Sequence, residues 1–185
     1  MRIRLLMLFL LTAGVSALAQ QPPSSTPGLT LSSPAFTDGG IIPNKFTQAD
    51  PKAVSPKLEW TNVPPNTVSF ALLVLDLDTA LQKTPEVVVH WMAFNIPGTA
   101  RELAEAVPAE AELPDGTIQG KNRRGEPGYM GPGASATGPY HHYAFELFAL
   151  DAKLQLSPDA TRADLLKAME GHVLGKGVTV GRFHR

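Results

Sequence analysis

The sequence predicts a mainly β domain, on three observations. Short apolar or alternating runs recur between turn-rich segments, and only one stretch has a convincing helical periodicity. Between Pro108 and Pro139 the chain is so rich in Gly and Pro that most of it must be loop.

The runs that read as strands are 29–31, 57–60, 69–77, 87–96, 116–119, 140–150 and 178–183. Two of them, 69–77 and 87–96, are apolar nearly throughout, as expected of central strands covered on both faces. The helix runs from Thr161 to about Val173. Ser157 or Asp159 is its expected cap, Leu165, Leu166, Met169 and Val173 its apolar side, and Gly175 and Gly177 its stop. A second, weaker helix is expected at 100–107.

Ahead of the domain, Arg2 and Arg4 precede an apolar core at 5–11, and Ala17-Leu18-Ala19 follows. This pattern reads as a secretory signal peptide at 1–19, too short for a comfortable membrane span. It predicts export to a periplasmic or external space, with no transmembrane span after processing. Residues 20–28, rich in Pro, Ser and Gln, read as a flexible leader, and 29–185 as a single domain able to bury a sizeable core. The chain contains no cysteine, so an exported fold must rest on packing rather than on disulfides. Its formal charge is −1, more acidic still once Arg2 and Arg4 are removed. With no basic stripe to meet a phosphate backbone, the composition argues against nucleic acid as a partner.

Ionisable residues inside the apolar runs are the functional signal, because an imidazole or carboxylate placed there costs free energy unless it is paired or used. Asp76 and Asp78 close the third run, His90 lies in the fourth, and His141, His142 and Tyr143 open the sixth. Strand alternation puts His141 and Tyr143 on a core-facing side with Phe145 and Leu147, and His142 on the other. By the same rule His90 shares its face with Val88, Met92 and Phe94, and Asp76 and Asp78 share theirs with Val74. The run from Gly128 to Pro139 leads straight into Tyr140 and His141, so bare main-chain amides lie beside the histidines. An aspartate-paired histidine, a second histidine, a tyrosine hydroxyl and open amides suit a small anionic group such as a phosphate monoester or carboxylate. Pairing with aspartate would favour the imidazolium form.

Taken in order, Asp76-Leu77-Asp78-Thr79-Ala80, His90-Trp91, Gly133 through Gly138, and His141-His142-Tyr143-Ala144-Phe145 resemble the motifs of the phosphatidylethanolamine-binding protein family. The resemblance is to its bacterial, exported, Raf-kinase-inhibitor-like branch. It covers about residues 29–185, including Gly171-His172-Val173-Leu174-Gly175. It implies an antiparallel β-sheet sandwich of Greek-key type with one or two peripheral helices. It also implies a small pocket for phosphate-bearing or phospholipid head-group ligands, and binding rather than catalysis. Carried over by position, Asp76, Asp78, His90, Gly133, His141 and Tyr143 are the expected ligand-binding residues. No metal or cofactor is implied. Leu77 and Ala80 replace prolines of the family's aspartate motif, and Ser135 stands where a loop proline is expected, which reduces the rigidity of both turns.

Other readings compete. Two carboxylates and two or three histidines could ligate a divalent metal in a hydrolase, although no two-histidine helical motif is present. Ser135 with His141 and Asp76 could form a hydrolytic triad, but it lacks a strand-turn-helix elbow. The 121–133 loop, with Lys121, Arg123 and Arg124, could bind and inhibit another protein or steer an anion toward the pocket. Taken singly, His90 reads as a core histidine bonded to a carbonyl, Asp78 as a turn aspartate, Tyr143 as a core aromatic with a backbone partner, and His142, His172 and His184 as structural or exposed.

Overall fold

The computed structural model describes residues 28–78 and 85–185. The expected signal peptide, most of the leader, and Thr79 and Ala80 lie outside these residues. The chain forms β1 (Thr30–Ser32), a 3-10 turn (Asn44–Phe46), β2 (Leu58–Thr61), β3 (Ser69–Asp76), β4 (Val88–Pro97), β5 (Glu102–Leu103), β6 (Ile118–Gln119), β7 (His141–Leu150), α1 (Arg162–Met169) and β8 (Val173–Phe183). The strands make two antiparallel sheets, ordered β1-β2-β5 and β6-β4-β3-β7-β8.

One hydrophobic cluster fills the space between the sheets, with Leu31, Leu58 and Trp60 meeting Phe70, Leu72, Val74, Trp91 and Phe145. A second lies on the far side of the larger sheet, where Leu165 and Met169 of α1 cover Ala71, Leu73, Leu75, Met92 and Phe94. All eight residues of β3 are buried, which explains why this run is apolar on both faces. Each such aliphatic side chain contributes roughly 1.5–3 kcal/mol by leaving water.

Three local expectations are corrected. The segment 100–107 is not helical: Glu102 and Leu103 pair with Glu59 and Leu58, and Ala106 takes a positive φ of 62°. Leu103 is its only fully buried apolar side chain, too little to hold a helix against the core. The helix is capped by Thr161, not by Ser157 or Asp159, in a reciprocal box with Asp164. It also ends early, because Gly171 at φ 81° turns the chain back. Val173, Gly175 and Gly177 therefore belong to β8 and pair with β7.

Gly177 serves close packing between the sheets. A Cβ there would sit 2.9 Å from the Leu29 carbonyl oxygen and 3.1 Å from the Leu31 nitrogen. Gly177→Val is expected to destabilise the fold by about 1–3 kcal/mol in urea unfolding, through overpacking against backbone. Val178→Thr, at an adjacent exposed position, should stay within about 0.5 kcal/mol.

Candidate functional site

Asp76 ends β3 at the rim of the inter-sheet core, and its register with Tyr143 brings the start of β7 alongside. His141 lies two residues before Tyr143 on the same face, and its Nδ1 meets Asp76 Oδ2 at 2.8 Å. The other carboxylate oxygen accepts the Asp78 N–H at 2.9 Å, the local turn that stops the strand. His141 Nδ1 is thus committed to Asp76, and Nε2 is the nitrogen left for a ligand.

His90 reaches the same place through an irregularity that alternation cannot anticipate. Val74 pairs with Trp91 but Leu75 pairs with Val89, so His90 is an extra residue in β4. Such a bulge re-aims a side chain. Instead of sharing a face with Met92 and Phe94, His90 turns to the inter-sheet side, its ring edge-on to Tyr143 at 5.1 Å. It is only 3% exposed. Its Nδ1 lies 2.8 Å from the Met130 carbonyl oxygen, which can only accept, so Nδ1 carries the hydrogen. Burial pushes the ring below its ordinary value of 6.5, against the opposing pull of the Met130 carbonyl and the Asp76 charge. The neutral ring therefore leaves a bare lone pair on Nε2.

Tyr143 is fully buried beneath these rings, and its hydroxyl accepts the Gly133 N–H at 3.3 Å. Burial, and then the Asp76 charge, push the phenol above its usual range, so it stays protonated. The glycine loop is fastened from outside by Gln48, whose Nε2 donates to the Gly131 carbonyl at 2.8 Å. Gly133 allows this approach: a Cβ there would lie 2.5 Å from Gln48 Nε2.

Asp76, His90, His141 and Gly133 line one open hollow of about 650 Å³. Arg123, Arg124 and Arg185 complete its walls together with Gln48, Met130 and residues 134–136. Asp76 is the only acidic side chain among these lining residues, and His141 already occupies it. The lining is therefore cationic. The arginine pair was visible beforehand as a basic loop and Met130 as part of the glycine-rich run, whereas Gln48 and Arg185 carried no sequence signal. Arg124 also donates to Gln48 Oε1 at 2.9 Å, which joins it to the clamp on the glycine loop.

Asp78 is not brought into the hollow. It leaves the strand after Asp76 and accepts from His142 instead, from the main-chain N–H at 2.6 Å and the ring Nδ1 at 2.9 Å. Burial raises its carboxyl pKa, but the two hydrogen bonds from His142 outweigh it and hold the group below its usual value. This pair sits on the outer face, as alternation predicts for His142. His172 is likewise exposed and paired with Asp151. The Ser135 hydroxyl meets Thr137 at 3.2 Å. Among the described residues no three His, Asp or Glu side chains converge where one metal ion could be held.

The family model for the phosphatidylethanolamine-binding protein matches residues 32–184. The chain belongs to this family. It is 42% identical over 157 residues to the UPF0098 protein of Methanothermobacter thermautotrophicus, covering 85% of this chain and 99% of that one. A candidate homologue of the family from Chlamydia trachomatis has a similar crystal structure, with TM-score 0.73, 30% identity, and coverage of 85% of this chain and 98% of that one. YbcL of Escherichia coli shares the fold at TM-score 0.75 and 24% identity, covering 86% of this chain and 99% of its own.

The His90 environment predicts a pH dependence of stability. A histidine whose folded pKa lies below its unfolded value stabilises the fold above pH 6.5, and that contribution is lost as pH falls through this value toward the folded pKa. Urea unfolding should show the wild type losing stability between pH 7 and pH 5 relative to His90→Gln, so that the gap between the two narrows on acidification.

Proposed function

We propose that this member of the phosphatidylethanolamine-binding protein family is an exported binding protein that holds a small anionic, phosphate-bearing group without catalysing its conversion. The observation that carries this reading is the lining of the hollow. Three arginine and two imidazole side chains face one open space in which the sole acidic side chain is already occupied by His141.

An anion entering there exchanges water for charge-assisted hydrogen bonds from guanidinium groups, the strongest class available to a phosphate. Arg123 and Arg124 sit on the short turn after β6, tied to β4 through the Arg123 N–H and the Val89 carbonyl oxygen. Their backbone is therefore fixed before the ligand arrives. The glycine loop opposite lets the ligand approach the main chain closely. Export rests on the arginine-flanked apolar segment at 1–19, and a periplasmic or secreted location follows from it.

Calorimetric titration with inorganic phosphate tests the pocket. Arg124→Ala and His141→Ala should each weaken binding by about tenfold or more, as removal of one charge-assisted bond does. Asp78→Asn, outside the hollow, should leave affinity within about twofold. Phosphate density or chemical-shift changes elsewhere on the surface, with none at His90 and His141, would remove the assignment. Stoichiometric metal in the purified protein would favour the hydrolase alternative. N-terminal sequencing of protein recovered from a periplasmic fraction checks export, with cleavage after Ala19 the expected result.

A further inference from the structure

We infer that His90 makes the hollow selective for a ligand that donates a hydrogen bond alongside its negative charge, so that a protonated phosphate monoester is accepted and a phosphodiester or a sulfate ester is rejected. This rests on the anion-binding reading above and narrows it to one chemical class.

The selectivity follows from which atoms His90 has left. Its Nδ1 is committed to the Met130 carbonyl at 2.8 Å, and that link is braced because the Met130 N–H donates back to the His90 carbonyl at 2.8 Å. The ring cannot turn over without breaking this bond, and Tyr143 packs against it edge-on at 5.1 Å. Nε2 is therefore the atom presented to the hollow. On a neutral ring it is an acceptor.

Burial biases the ring toward its neutral form, against the pull of the Met130 and Gly131 carbonyls. Asp76 from β3 favours a proton on His90, but it is shared with His141 of β7. Arg124 opposes protonation from the loop side, Arg123 and Arg185 add positive charge to the same walls, and the neighbouring phenol of Tyr143 stays uncharged.

An acceptor inside an anion pocket discriminates by protonation. A monoester with its second pKa near 6 carries a P–OH in the monoanion and can donate to Nε2 while its other oxygens meet the arginines. A diester or a sulfate ester has only acceptor oxygens, and these would face the lone pair across a short distance. Leaving a buried acceptor unpaired is penalised more than an added hydrogen bond is rewarded. A free phosphate monoester thus fits this site, and the head group of an intact phospholipid, which is a diester, does not.

Methyl phosphate and methyl sulfate test this directly. Near pH 5.5 both are about the same size and largely singly charged, and they differ by one hydroxyl hydrogen. Calorimetry on the folded full domain should show methyl phosphate bound at least about tenfold more tightly, with dimethyl phosphate grouped with methyl sulfate. His90→Gln, whose amide can turn its NH2 toward the ligand, should bring the affinities for methyl phosphate and methyl sulfate within about threefold of each other. Nitrogen-15 spectra of wild-type histidines at the same pH give a readout that needs no variant: His90 Nε2 should be unprotonated with methyl phosphate bound. Equal binding of the two esters, or a doubly protonated His90 in the methyl phosphate complex, overturns the selectivity while leaving the anion pocket intact. Failure of both esters and of inorganic phosphate to bind overturns the pocket as well.

Discussion

The burial of β3 on both faces is the constraint from which the hollow is built. Ser69 to Asp76 has no solvent-facing residue. Alternate positions feed two different hydrophobic clusters, so a slip of one residue would exchange their contents. That penalty locks the strand against β4 and β7 at once. Asp76 is its last residue and takes its position from this lock. The carboxylate meets His141 because the pairing of Phe70, Leu72 and Val74 with Ala149, Leu147 and Phe145 has already fixed where β7 begins.

The neighbouring strand is less regular, and its irregularity does the chemical positioning. In β4 the inward and outward sides exchange twice, at the register shifts opposite 70–72 and 74–75. Ile96 and Ala93 face the inter-sheet cluster, Phe94 and Met92 the helix side, then Trp91 and His90 return toward the inter-sheet side. The first shift is held by Asn95, which has a positive φ of 58° and exchanges hydrogen bonds with both main-chain groups of Leu154. The second delivers His90 to Met130 and Tyr143. A perfectly alternating β4 would have buried this imidazole under α1, far from Asp76.

This history explains what the sequence made legible. Buried strands announce themselves by composition, so β3, β4 and β7 could be read within a residue or two. The Asp76–His141 pairing was also accessible, because each lies on a regular strand with apolar neighbours that define its face. His90 was singled out by its apolar surroundings, yet its face was misjudged, since a bulge leaves no mark in an alternation pattern. Asp78 was grouped with Asp76 by alternation and by its place in the family motif, whereas the Asp76 side chain itself ends the strand by accepting the Asp78 N–H. Gln48 and Arg185 reach the hollow from sites remote in sequence, through tertiary contacts that no local pattern encodes. The glycines at 175 and 177 resembled a helix stop because the same residue that permits a turn also permits two strands to cross closely.

The single-residue readings proved compatible with the concerted one. His90 does bond a backbone carbonyl, Tyr143 does accept a backbone N–H, and His142 does lie on the surface. Satisfying one end of a buried polar side chain is what lets the other end be held open toward solvent at tolerable cost. For His90 that means one ring nitrogen is fixed by Met130 so that the other can keep its lone pair. For His141 it means Asp76 orients the ring while Nε2 remains available. The two imidazoles are thus anchored in different ways, one by a neutral carbonyl and one by a carboxylate. A ligand entering between them therefore meets two histidines that are chemically distinct although they are presented from the same fold.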